Sequence, residues 1–245
     1  MYAEFASVYD SLMLQDIDYD GITDFIENIF KHFNKSPELV CDLAAGTGNV
    51  SIPMAKKGYD VIAVDISEDM LNVAGDKAEK AGCDILFLHQ DLRKLDLYGS
   101  CGAFLCMLDG FNYITSYNDL KNIFKRIRTC FIDNDGIFVF DISSPYKLKN
   151  ILGSNTFVYD TEDMFYAWEN EYKSGLCRME LNFFSKEKDG AYKRFREIQI
   201  QRAYSEKQIK KALIDGGFST VEVFDGFSFE KSTDKSQRLV FAALA

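Results

Sequence analysis

The chain has 245 residues, 47% of them hydrophobic, and carries 28 Lys and Arg against 38 Asp and Glu for a net charge of −10. That acidity excludes general DNA binding, because attraction to phosphate is the main non-specific term in nucleic-acid affinity. No apolar run approaches the roughly 20 residues of a membrane span, no basic-then-apolar leader is evident, and the length suits one large core with at most a small appended unit. Six cysteines at 41, 83, 101, 106, 130 and 177 form no Cys-x-x-Cys pair, and only His32 and His89 accompany them. No metal site is therefore expected, and free thiols imply a reducing, cytoplasmic setting.

Residues 1–33 place Phe5, Val8, Leu12, Phe25, Ile26 and Phe30 at helical spacing around an acidic break at 16–20, which predicts two helices. Leu39-Val40-Cys41-Asp42-Leu43 then reads as a buried strand running into Ala44-Ala45-Gly46-Thr47-Gly48-Asn49 and a helix over 48–57. Gly46 and Gly48 let the backbone turn tightly and approach a ligand, as at the opening of nucleotide-binding α/β folds. The glycine pair also suits a dinucleotide-binding dehydrogenase, but Asp42 would repel a pyrophosphate, whereas S-adenosylmethionine offers an ammonium and a sulfonium. A second strand, 60–65, ends in Asp65 about 20 residues past the turn, where a carboxylate accepts ribose hydroxyl protons. Ser67 caps a helix over 67–81 with acids in its first turn. Strand-type runs at 84–88, 102–108 and 136–142 and a helix-type stretch at 117–132 continue the alternation that parallel strands with crossover helices require. Toward the end, 209–217 reads as a helix, and 220–224 and 238–243 as strands.

The run Asp42 to Gly48 resembles the first motif of the class I S-adenosylmethionine-dependent methyltransferases, Asp-x-Ala/Gly-x-Gly-Thr/Ser-Gly. The resemblance covers 38–146 well and 205–245 loosely. It implies a doubly wound, seven-stranded, mostly parallel α/β sheet, completed by an antiparallel hairpin near the end of the chain. Asp42, Ala44, Gly46, Thr47, Gly48, Asn49 and Asp65 would then hold S-adenosylmethionine, leaving S-adenosylhomocysteine after transfer. Ile66 and Met70 would pack on adenine, Asp91 would lie near its amino group, and Gln90 and Leu92 would line its ring. Leu108, at the end of the fourth strand, would also bind the cofactor, and Asp109, Asn112 and Tyr113 after it occupy the family's position next to the transferable methyl, which makes Asp109 and Tyr113 the candidates for catalysis. The N-terminal wording around Phe5-Ala6-Ser7-Val8-Tyr9-Asp10 and Asp18-Tyr19 is similar to that of the bacterial YqeM-like methyltransferases, in which cap helices close over the cofactor. Tyr9, as a further catalytic candidate, and Tyr19, on the cofactor side, belong to that cap.

Residues 147–204 break the repeat. Alternating runs at 155–161, 165–172, 178–185 and 192–202, with turn signals at Lys173-Ser174-Gly175 and Lys188-Asp189-Gly190, predict an inserted antiparallel sheet whose aromatics roof a substrate cavity. The expected organisation is a cofactor-binding unit of 1–146 plus 205–245, with 1–33 as cap helices, and an inserted β lid over 147–204. Between Lys173 and Lys211 there are 11 Lys and Arg against 5 Asp and Glu, a basic surface for an anionic substrate or an RNA, although such residues also form ordinary solvated sheet faces. No Pro-Pro-Tyr follows the fourth strand, and no proline precedes Cys106, so neither form of base methylation built on those motifs is expected. The function this supports is methyl transfer to an N, O or C nucleophile of a small metabolite, ahead of tRNA or protein. The alternatives are a non-catalytic S-adenosylmethionine-binding module and an NAD-dependent oxidoreductase. Oligomeric state is not legible.

Overall fold

The computed structural model describes residue 10 and residues 17–162, 164–187 and 189–245. Five strands come first: β1 (Leu39–Leu43), β2 (Asp60–Asp65), β3 (Ile85–His89), β4 (Cys101–Cys106) and β5 (Ile132–Ser143). A meander follows, of β6 (Thr156–Asp160), β7 (Met164–Lys173), β8 (Leu176–Lys186) and β9 (Tyr192–Arg202), and then β10 (Thr220–Asp225) and β11 (Arg238–Leu244). Seven strands form one sheet in the order β10-β11-β5-β4-β1-β2-β3, and β6 to β9 form a separate four-stranded sheet. From β5 to β3 the pairings are parallel, while β11 runs antiparallel to both β5 and β10. The sequence expectation of a doubly wound sheet with an inserted antiparallel sheet is met.

Period-two alternation decides the two faces. Val40, Ala103, Leu105, Ile137 and Val139 pack on one side with α1 (Tyr19–His32), whereas Cys41, Phe104, Cys106, Phe138 and Phe140 pack on the other. The chain's own signals set the helix ends. Asp18 caps α1, and α2 (Ser51–Lys56) is a short piece after the glycine turn. Ser67 caps α3 (Glu68–Ala81), which stops at left-handed Gly82, and Ser116 caps α4 (Tyr117–Arg126). A Ser205–Gln208 capping box opens α5 (Glu206–Gly216). The predicted helix over 117–132 is divided: α4 ends at Arg126 and a wide π-type turn, Ile127–Phe131, delivers the chain into β5, which begins earlier than the apolar run suggests. The first predicted cap helix lies outside the described residues. Among the described residues no helix is long and apolar enough to cross a membrane.

The second face is an aromatic cluster. Phe138 has ring neighbours at 4.7 Å (Phe140), 5.7 Å (Phe124) and 5.8 Å (Phe111 and Phe218), and Phe140 stacks on Phe241 at 5.1 Å. It is fully buried in the middle of the sheet. Phe138→Ala is expected to destabilise the fold by about 3–5 kcal/mol in urea titration; a loss under about 1 kcal/mol would show that this cluster is not where the core's cohesion lies.

A candidate active site at the carboxyl ends of the strands

At the end of β1 the backbone turns through three left-handed positions, Ala44, Gly46 and Gly48, with φ of 54°, 55° and 76°. The two glycines are needed for different reasons. A Cβ on Gly46 would meet nothing within 4 Å, leaving that face open to a ligand, while one on Gly48 would sit 3.1 Å from the Ala74 Cβ, so Gly48 lets the loop pack on α3. The expected helix over 48–57 shrinks to six residues, and Val50 ahead of it makes no side-chain cap bond. The loop, the strand ends and Val50 ahead of this short helix all border the cavity.

Two carboxylates sit under this loop. Asp65, the last residue of β2, accepts hydrogen bonds from the Gly46 N–H and the Ser67 N–H, both at 2.8 Å, and so ties the glycine loop to the start of α3. Burial raises its carboxyl despite these donors. Asp42 is buried on β1 and accepts from the Ser51 hydroxyl at 2.5 Å; burial, with Asp65 nearby, pushes it up to about 7.

Asp10, which sequence reasoning did not single out as functional, reads the same loop from outside. Its carboxylate accepts from the Thr47 hydroxyl at 2.6 Å, the Asn49 amide at 2.8 Å and the Lys77 ammonium at 2.8 and 2.9 Å. Burial works against its charge, but Lys77, Thr47 and Asn49 outweigh it and hold the carboxyl below the usual range. The only hint in the sequence was an acid within the N-terminal wording; its partners lie 37, 39 and 67 residues away.

At the far end, β4 stops at Cys106, short of the predicted Leu108, because Leu108 and Asp109 both adopt left-handed backbone, with φ of 60° and 59°. Asp141, fully buried on β5, holds that turn by accepting the Leu108 N–H at 2.5 Å and the Asp109 N–H at 3.0 Å. Arg238 on β11 donates to Asp141, and to Asp109 at 3.3 Å, and the Gln201 amide donates to the other Asp109 oxygen at 2.6 Å. Burial opposes the Arg238 charge, but Asp141 and Asp109 keep the guanidinium protonated. Burial also raises Asp141, with Arg238 pulling the other way. Both Asp109 oxygens are thus occupied. Asn112, a candidate for substrate contact, is buried instead in a structural role: its amide donates to the Ser143 and Arg202 carbonyls at 3.1 and 2.8 Å and accepts the Ser143 N–H at 2.9 Å. The Tyr113 hydroxyl donates to Gln199 at 2.9 Å, and its crowding in the pocket, with Asp109 beside it, raises the phenol above its ordinary range.

One cavity of about 760 Å³ joins the two ends, within the range of small-molecule sites. Tyr19, Asp42, Ala44, Gly46, Thr47 and Asn49 line one end. Asp65, Ile66, Met70, Asp91 and Leu92 follow, and Leu108, Asp109 and Tyr113 line the other. Ile66 is 61% exposed, an uncovered apolar surface facing this space. Asp91 both borders the cavity and caps the turn Leu92–Lys94, paired with Arg93. Gly48 and Gln90 are not among the lining residues. Gly48 is packed on α3, and Gln90 exchanges hydrogen bonds with the Asp96 backbone at 2.9 Å in both directions. Tyr9 lies outside the described residues. The inserted sheet closes the cavity from above with Trp168, Met179, Leu181, Phe183 and the β9 residues Glu197 to Gln201. Lys147, Glu197, Gln201 and Arg238 had no motif to reveal them; strand register brings the last three here, and the turn after β5 brings Lys147.

Residues 40–132 match a family model described as a methyltransferase domain. Over 99% of its length the chain is 33% identical to the putative methyltransferase YqeM of Bacillus subtilis, covering 96% of that protein. A crystal structure of an S-adenosylmethionine-dependent methyltransferase from Clostridium acetobutylicum superposes with a TM-score of 0.91 at 35% identity, over 99% of this chain and 98% of that one. S-adenosylmethionine-bound CalS10, an amino pentose methyltransferase from Micromonospora echinaspora, shares the fold at 14% identity, with a TM-score of 0.77 over 97% of this chain and 96% of that one.

Arg238→Met would leave two neighbouring carboxylates without their shared cation, a loss of about 3–5 kcal/mol of stability at pH 8. Asp141 already lies above its ordinary range, and without Arg238 it rises further, so the penalty is full when it is ionised and shrinks as falling pH protonates it. Urea unfolding of wild type and variant at pH 8 and pH 5 should therefore give the smaller difference at pH 5; equal differences would rule out charge as the cause.

Proposed function

The chain belongs to the S-adenosylmethionine-dependent methyltransferases, and from that premise we propose that it methylates a nitrogen, oxygen or carbon nucleophile of a small metabolite. The observation that carries the acceptor class is the roofed cavity, with the glycine loop at one end and the Asp109 turn at the other. It has space for a cofactor and a compact acceptor together, under a lid that would exclude a large folded partner. The cofactor suits the donor set: an open Gly46 face, Asp65 at the strand end, two carboxylates favouring a cation, and uncovered Ile66 for an adenine ring. In this reading Asp65 holds the ribose hydroxyls, Tyr19, Asp42, Ala44, Thr47 and Asn49 surround the methionine portion, and Met70, Asp91 and Leu92 border the base. When bound, the cofactor supplies a methyl group already activated by its positive sulfur for in-line displacement.

The chain's own contribution is to position the acceptor and keep water out, for which effective-molarity arguments allow several kcal/mol. Asp109 and Tyr113 face the acceptor. Arg238 and Gln201 each donate to one Asp109 oxygen, which fixes that carboxylate in the floor and leaves its remaining lone pairs to meet the acceptor. Residues 147–204 act as the acceptor lid on the unit formed by 1–146 and 205–245. RNA is the weaker reading, because three arginines on the strands of the lid have local partners. Arg178 and Arg196 share Glu180 at 3.0 and 2.6 Å, and Arg194 lies over Phe184 with its guanidinium on Asn182. Six unpaired cysteines suit a cytoplasmic setting.

Titration calorimetry with S-adenosylmethionine and S-adenosylhomocysteine tests the cofactor end. Asp65→Ala should weaken both by tenfold or more, since hydrogen bonds to a charged acceptor contribute about 1.5–3 kcal/mol; absence of heat from folded wild type free of copurified ligand would overturn the assignment. The pH dependence is a separate check. Asp42 sits near 7 in the free protein, so a cationic ligand beside it drives proton release. Affinity for S-adenosylmethionine should strengthen as pH rises toward about 7 and level off above, and Asp42→Asn should flatten the profile; a profile unchanged in the variant would place the ligand's charge elsewhere.

A further inference from the structure

Resting on that reading, we propose that the acceptor is a zwitterion with its two charges at opposite ends: an acid group met by Lys147 and an amino group met by Glu197, with an apolar body between them. Lys and Glu are almost never withdrawn from water without a partner. Among the other charged residues that line the cavity, Asp42 has Ser51, Asp65 has Gly46 and Ser67, Asp91 and Arg93 have each other, as do Asp109 and Arg238, and Asp119 lies in the field of Arg93. Lys147 and Glu197 line the same cavity, both partly buried, and neither makes a side-chain hydrogen bond or ion pair among the described residues. Burial pulls the Lys147 amine down and the Glu197 carboxyl up, the direction expected of charges that lack a counter-ion. The charged groups facing Lys147 are Asp109 and Asp141, which attract it, and Arg238, which repels it, and those three are already bonded to one another.

Position separates the two charges. Lys147 opens the turn Lys147–Leu152 just after β5, at the Asp109 end of the cavity. Glu197 belongs to the inward row of β9, in which Gln201 is taken by Asp109 and Gln199 by Tyr113, leaving Glu197 as the next inward position along the strand. Four residues of strand span about 13 Å, so even with side chains converging the two groups suit an ω-amino acid better than an α-amino acid. Beside Glu197 on the same face of the inserted sheet, its cross-strand partner Leu181 and then Trp168 give the roof its apolar surface. The indole N–H of Trp168 is itself buried with no acceptor among the described residues.

Trp168 is the chain's one tryptophan, so its fluorescence reports directly on the roof. With the protein saturated in S-adenosylhomocysteine, 6-aminohexanoate, hexanoate, hexylamine and hexanol are titrated in turn. The zwitterion should shift the emission and saturate at concentrations at least tenfold below those of the other three. Lys147→Met should weaken 6-aminohexanoate and hexanoate tenfold or more and leave hexylamine unchanged; Glu197→Gln should show the mirror pattern, and Lys147→Arg should retain most of the zwitterion's affinity. Each variant is first shown to bind S-adenosylhomocysteine as wild type does, which guards against loss of fold. If hexanol binds as well as the zwitterion, or both charge-removing variants bind 6-aminohexanoate like wild type, the proposal is wrong while the methyltransferase reading stands. If wild type does not bind S-adenosylhomocysteine, that reading fails and this one with it.

Discussion

A single buried carboxylate holds the end of the site that we assign to the acceptor in a conformation its backbone would not otherwise keep. Two consecutive non-glycine residues in left-handed geometry, Leu108 and Asp109, cost roughly 1–3 kcal/mol each. Asp141 accepts both of their N–H groups, and hydrogen bonds to a charged acceptor contribute about 1.5–3 kcal/mol apiece, enough to balance the strain. The arrangement needs Asp141 ionised without water around it, and Arg238 provides for that. β11 runs antiparallel beside β5 with Val240 opposite Asp141 and Arg238 opposite Ser143, so the arginine lies two residues along from the carboxylate's partner, on the same side of the sheet. The one strand that reverses direction in the sheet thereby supplies the cation for the turn after β4.

The two ends of the cavity differ in how far the sequence reveals them, and the difference is one of distance along the chain. Asp42, Gly46 and Gly48 lie within seven consecutive residues, and Asp65 closes the next strand 19 residues past Gly46, so a local pattern carries both the fold and the loop. The acceptor end is assembled from separations of 32, 92 and 129 residues, joining Asp109 to Asp141, Gln201 and Arg238. No spacing rule reaches across such intervals. Asp109 was identifiable by its place after the fourth strand, but the occupation of both its oxygens was not, and Asn112 looks like a substrate contact until register puts Ser143 and Arg202 on either side of it. Asp10 was hidden for the same reason, its partners lying on a loop and a helix it meets only in three dimensions.

Electrostatics divides the cavity in the same place. The end assigned to the cofactor presents two crowded carboxylates, Asp42 and Asp65, both raised by burial, an environment that favours positive charge. The acceptor end balances Asp109 and Asp141 against Arg238 and Lys147, a cluster that is formally neutral and whose members respond to one another. A protein with a net charge of −10 thus offers its ligands two quite different local environments within one enclosure of about 760 Å³.

The inserted sheet is sewn to the floor chiefly at the base of β9 and the turns it meets. Gln201 reaches Asp109, Arg202 reaches the Thr115 carbonyl and Asn112, Gln199 meets Tyr113, and Tyr204 just beyond the strand donates to Ile114. Roof side chains such as Met179, Leu181 and Ile198 take no part in those bonds. Divergence within this lineage therefore has an inexpensive route. Exchanging roof residues leaves those floor bonds in place, so the lining of the cavity can change while the turn after β4 keeps its geometry.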